Sequence, residues 1–147
     1  MNSAKIKQLF QVSLHPTFAS VTILILRLVV GWAFIQHGWG KIQTPFNWMP
    51  AEAPVPGFLQ FLAAFSEFGG GIALILGLLT PLACLGIAIT MAVATSMHAF
   101  TLGDPFVNLT GGRSFEPALI YLTIALVMMS VGPGQFSMDR KIFGLKK

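Results

Sequence analysis

Four apolar stretches, separated by segments rich in proline and glycine, constrain this chain more than any other feature. They run from about Phe18 to Gly38, Gly57 to Leu79, Pro81 to Phe100 and Phe115 to Val131. A helix crossing a hydrocarbon layer of about 30 Å needs roughly 20 mostly apolar residues. The rest of the composition agrees. Of 147 residues, 54% are apolar and only 10% charged, and the mean hydropathy is +0.75. A soluble domain carries roughly 25% charged residues, so this chain cannot clothe a water-facing surface. Lipid has to replace the polar exterior. The expected fold class is all-α, an integral membrane bundle of four transmembrane helices forming one domain over residues 1–147.

The formal charge of +4 does not point to nucleic acid. Six of the nine Lys and Arg lie in the tails, namely Lys5, Lys7, Arg140, Lys141, Lys146 and Lys147. That distribution follows the positive-inside rule and places both termini in the cytoplasm. The first stretch exceeds a signal-peptide core of roughly 7–15 residues and no A-x-A site follows it, so it is expected to stay as a span. Cys84 is the only cysteine, which excludes an intramolecular disulfide.

The joints are readable. In "LLTPL", Pro81 fits the first turn of a helix, which makes spans two and three an antiparallel hairpin. Residues 39–56 and 101–114 then form the outer loops, with Trp48 expected at the headgroup level. Before span one, Ile6, Leu9, Phe10 and Leu14 share a helical face. After "GPG" at 132–134, Ser137 is placed to cap a short helix bearing Met138, Ile142 and Phe143. Both flanks are expected to float on the inner leaflet. Small residues at Gly69, Ala73 and Gly77, and at Gly86, Thr90 and Ala94, mark where helices should touch.

Ionisable groups within the spans are few, and each needs a partner. Counted from the ends of their spans, Arg27 and Glu67 lie roughly 14 and 15 Å deep, which brings them together near the midplane. An unpaired charge there costs about 2.5–3.5 kcal/mol or more. A buried ion pair between Arg27 and Glu67 is therefore expected, either fixing register or relaying a proton. A second layer is expected at the outer face. His37 and His98 fall there by the same count, Lys41 lies one turn beyond His37 on the same helix face, and Glu116 opens span four. Arg113 and Asp104 lie in the adjacent loop. These groups form a candidate polar pocket suited to proton transfer, with His37, Lys41, His98 and Glu116 as the candidate catalytic residues. No metal-ligand spacing or haem motif is present, and neither cofactor is expected.

Five segments together carry a family resemblance. They are "RLVVGWAFIQHGWGK" at 27–41, "EFGGGIALILGLLTPLA" at 67–83, "MHAF" at 97–100, "GGRSFEPAL" at 111–119 and "GPGQFSMD" at 132–139. In this order they resemble the DoxX family of small bacterial membrane proteins. The resemblance implies a four-helix bundle in the bacterial cytoplasmic membrane. It also implies a membrane subunit of an oxidoreductase system handling thiosulfate or thiols, with quinone as acceptor. Arg27, His37, Lys41, Glu67, His98 and Glu116 are the matching positions, with His37, Lys41 and His98 as quinone-binding candidates. The resemblance implies a separate oxidoreductase protein as partner, the composition implies membrane lipids, and the small size of the bundle leaves room for a second copy of the chain. The alternative is a non-catalytic scaffold or assembly factor. A transporter ranks below both, because no internal repeat or broken span is visible.

Overall fold

A computed structural model describes the backbone of residues 3–53 and 55–146, with side chains from Lys7 onward. The readings made on Lys5, Ile6, Pro54 and Lys147 lie outside the described side chains. The elements in order are α1 (Ser3–Phe10), α2 (Thr17–Gln43), α3 (Gly57–Leu76), α4 (Thr80–Ser96), a π-helical turn (Met97–Thr101), α5 (Glu116–Val131) and α6 (Met138–Phe143). Proline sets all four long starts. Pro16 and Pro56 immediately precede α2 and α3, and Pro81 and Pro117 sit in the first turns of α4 and α5. Proline loses nothing there, because the first amides of a helix have no partner within it.

All four expected stretches are helical. Three helices are long and apolar enough to cross a membrane, and α5 is shorter. The surface is the reverse of a soluble protein's. Phe18, Val29, Trp32, Phe65 and Ile89 point outward, while Arg27, Glu67 and Asp139 are at most 2% exposed. Backbone packing runs from α2 to α3 to α4 to α5. The ends of this series, α2 and α5, meet through side chains, with Phe34 against Tyr121 at 5.0 Å. Between the helices lies a core that includes Val30, Phe34, Leu74, Ile87, Met91 and Met128.

Close helix contacts use glycine, although not all those expected. Gly31 faces Gly71, Gly38 faces Phe68, and Gly70 faces Ile87. A Cβ on Gly31 would stand 2.7 Å from the Gly71 carbonyl oxygen. Gly69, assigned to the contact stripe from sequence, meets only Phe65 of its own helix. The touching face is turned by one to two residues. Gly86 does pack against Ser66, as expected.

These contacts fix the register of α2 against α3, and the register corrects the midplane pair. Gly38 lies beside Phe68, so Glu67 is level with the outer part of α2 near Lys41. Arg27 is 14 residues before Lys41, or about 21 Å along the helix. Counting each span from an assumed bilayer edge failed because the helices are offset. α2 overhangs at the end of the bundle that carries the termini, and α3 overhangs at the other.

Arg27 instead closes the terminal end. Its Nε donates to the Leu74 carbonyl at 2.8 Å and Nη2 to Ile75 at 2.8 Å. Nη1 donates to Pro133 at 2.9 Å and Phe136 at 2.8 Å. The last carbonyls of α3 lack partners within the helix, and in lipid they must be satisfied by protein. A cation at a helix C-terminus also opposes the helix dipole. Asp139 performs the mirror task for α4. Its carboxylate accepts from the amides of Leu79 at 2.6 Å and Thr80 at 2.9 Å. Between the two caps the chain reverses through Gly77 at φ 62° and Leu79 at φ 47°. A left-handed leucine is strained, and the Asp139 bond to its amide holds it there.

The two flanks pack against each other. Ser137 caps α6 as expected, its hydroxyl accepting from the Arg140 amide at 3.3 Å. Phe10 stacks on Phe143 with centroids 5.1 Å apart. Val12 and Leu145 form a bridge that joins the two terminal segments. Both chain ends therefore lie at the same end of the bundle.

Candidate functional site

The polar groups of the loop end resolve into three separate couples. The first joins α2 to α3. Lys41 Nζ donates to both carboxylate oxygens of Glu67 at 2.6 Å. Glu67 is 2% exposed and Lys41 27%. Trp48 covers the ammonium, its ring centroid 4.7 Å from Nζ. Buried Gln60 holds this lid. Its backbone carbonyl accepts from the Trp48 indole at 2.9 Å, and its side-chain oxygen accepts from the Met49 amide at 3.0 Å. Trp48 thus turns inward over the Lys41–Glu67 couple. A buried carboxylate paired in this way is stable only while its partner remains.

The second couple joins α2 to α5. His37 stands edge-on to Tyr121, with ring centroids 6.1 Å apart, and Phe34 lies beneath both. His37 and Lys41 were expected on one face. Two such positions are about 40° apart around a helix of 3.6 residues per turn. That divergence sends Lys41 to α3 and His37 to α5.

The third couple lies where α4 ends. His98 sits in the π-helical turn, and its Nδ1 is 2.7 Å from Asp104 Oδ2. Arg113 approaches the other Asp104 oxygen at 3.6 Å. π-helical turns widen a helix and often occur at functional positions. The Asp104 contact ties His98 to the loop that follows α4. Glu116 opens α5 and is half-buried, with its amide donating to the Phe106 carbonyl at 3.1 Å. Tyr121 is five residues, or about 8 Å, further in. No hydrogen bond or ion pair joins Glu116 to the His37 couple among the described residues.

Of the six residues singled out from sequence, the structure joins Lys41 with Glu67 and leaves Arg27 at the opposite end. Sequence reasoning missed Tyr121, Gln60 and Asp139 as site or capping residues. Tyr121 is the only tyrosine in the chain, and it lies 84 positions after His37. Nothing local links them. Asp139 had a signal, since it is the one acid in the basic C-terminal tail. Among the described residues, no three His, Cys, Asp or Glu side chains converge as metal ligands.

The chain matches a family model described as DoxX over residues 22–101. That region contains Arg27, His37, Lys41, Glu67 and His98, while Tyr121 and Glu116 lie beyond it. Inner membrane protein YqjF of Escherichia coli is 34% identical over 124 residues, covering 82% of this chain and 91% of that protein. An uncharacterised Haemophilus influenzae protein is 32% identical over 123 residues, covering 82% of this chain and 90% of its own length. A second one is 30% identical over 138 residues, covering 84% and 85%. No solved structure matches the chain. The chain belongs to the DoxX family and is a multi-pass inner membrane protein.

Proposed function

We propose that the protein is the membrane subunit of an oxidoreductase system that handles thiosulfate or thiols, and that it presents the α2–α5 seam to the head of a quinone. The observation that carries this reading is the contrast among the three couples. Lys41, Glu67, His98 and Asp104 are already paired. The His37 ring and the Tyr121 hydroxyl meet no hydrogen-bond partner among the described residues, yet they stand together on the seam above Phe34. One imidazole and one phenol can each donate to a quinone oxygen, and ligands of bundles enter between helices. An aromatic floor suits a flat ring. A bound quinone supplies the two-electron acceptor. His37 and Tyr121 orient it, and His98 with Asp104 exchanges protons with the outer solution. The redox donor belongs to a partner protein. The basic tails orient both termini toward the cytoplasm.

The test uses inner membranes that contain the protein, with thiosulfate or a small thiol as donor and the extracted quinol fraction as readout. Wild type should raise that fraction, and His37→Ala and Tyr121→Phe should each lower it. Equal fractions in wild type, both variants and a deletion strain would end the reading.

A second reading, a scaffold for a partner protein, is favoured by the sealed Lys41–Glu67 couple and by Leu109, 92% exposed on the outer loop. In that case, recovery of the partner would survive His37→Ala and fail with Leu109→Asp.

A further inference from the structure

The terminal end holds a second feature that the redox reading leaves unused. A cleft of about 670 Å³ opens between α2, α3 and the segment leading into α6. Leu24, Ile75 and Leu76 form its apolar wall, and Arg27, Arg140 and Lys141 supply its cations. The charges there are one-sided. Glu52, Glu67, Asp104 and Glu116 all belong to the loop end, which leaves Asp139 as the only acid near the cleft. Both oxygens of Asp139 already serve the first amides of α4. Among the described residues, the Arg140 guanidinium bonds only to Gln135, through the side-chain oxygen at 3.0 Å and the backbone carbonyl at 3.4 Å. Lys141 is exposed, and no carboxylate pairs with it among the described residues. Arg27, 1% exposed, directs four of its five N–H groups to carbonyls and has one left.

A cleft with a greasy wall and a cationic rim fits one chemical class, an anion carrying an acyl chain. We infer that it binds an anionic phospholipid. The phosphate lies against Arg140 and Lys141, and a chain runs along Leu24, Ile75 and Leu76. Basic pockets between transmembrane helices hold anionic headgroups by this combination. The guanidinium of Arg27 sets a positive potential at the base of the cleft, and its own carbonyl partners are uncharged. A soluble anion would gain the charges but leave the apolar wall unused. A zwitterionic lipid would gain the wall but bring its own cation to a basic rim.

The experiment starts from delipidated full-length protein in nanodiscs of phosphatidylcholine, titrated with phosphatidylglycerol and read by native mass spectrometry of the released protein. Phosphatidylglycerol should be retained in preference to phosphatidylcholine. The double variant Arg140→Gln, Lys141→Gln should weaken retention about 30-fold, the effect of losing two near-surface cations. Lys141→Glu, which changes an exposed side chain, should weaken it without disturbing the fold. Lys7→Gln with Lys146→Gln, at the same end but outside the cleft, should leave retention unchanged. Three results would overturn the inference: equal retention of both lipids, loss in the Lys7 and Lys146 variant alone, or full displacement by inorganic phosphate. The last would assign the cleft to a free anion.

Discussion

Removing Lys41 tests the assignment of Glu67 at once. The Glu67 carboxylate is 2% exposed and receives both of its short bonds from one ammonium. Lys41→Met keeps the stem's packing and strands the carboxylate. Breaking a buried pair from one side costs about 3–5 kcal/mol. Glu67→Gln should cost less, about 1–2 kcal/mol, because an amide oxygen still accepts from Lys41 and an ammonium that is 27% exposed can turn toward water. The double variant should fall well short of the sum, with a coupling energy of about 2 kcal/mol. Reversible unfolding in mixed micelles, followed by circular dichroism, gives all four corners of the cycle. Arg27→Lys combined with Glu67→Gln should be additive, since Gly38, level with Glu67, is 11 residues or about 17 Å along α2 from Arg27. Additive Lys41 and Glu67 effects, or strong coupling between Arg27 and Glu67, would refute the register argued from Gly31 and Gly38.

Four further outcomes follow from the same geometry. Arg27→Ala should destabilise by about 3–5 kcal/mol, and protease cleavage within residues 132–146 should rise as Pro133 and Phe136 lose their donor. Asp139→Ala should cost about 1–2 kcal/mol as a lost cap of α4, and Asn in its place about half of that, by the same unfolding assay. Gly31→Ala should cost about 1–3 kcal/mol by pushing against the Gly71 carbonyl, whereas Gly40→Ala, with nothing within 4 Å, should be neutral. Cys84, 0% exposed, should resist maleimide until the protein is unfolded, which a mass shift would report.

The architecture was legible because lipid enforces it. Apolar length, prolines at helix starts and the "GPG" stop each act within a few residues, and the helices begin and end close to where those signals stand. The depth of a charge was not legible in the same way. It depends on how far one helix slides past another, and that slide is set by which glycine meets which backbone. The three consecutive glycines Gly69, Gly70 and Gly71 offer neighbouring faces, and sequence alone does not say that Gly70 and Gly71 carry the contacts. Arg27 was read as needing a carboxylate because an isolated charge in lipid is costly. Four carbonyls at two chain turns meet the same need, and all four of their residues lie more than 45 positions away. His37 was found from its position, but Tyr121 reads as an ordinary apolar-helix residue until α5 is seen to close against α2.

Photolabelling with an azido-quinone in native membranes, followed by peptide mapping, addresses the seam most directly. Adducts should map to α2 and α5 around Phe34, His37 and Tyr121, and unmodified quinone should compete them away. Adducts confined to the Arg140 cleft, or spread evenly over the lipid-facing residues, would contradict a quinone site between those two helices.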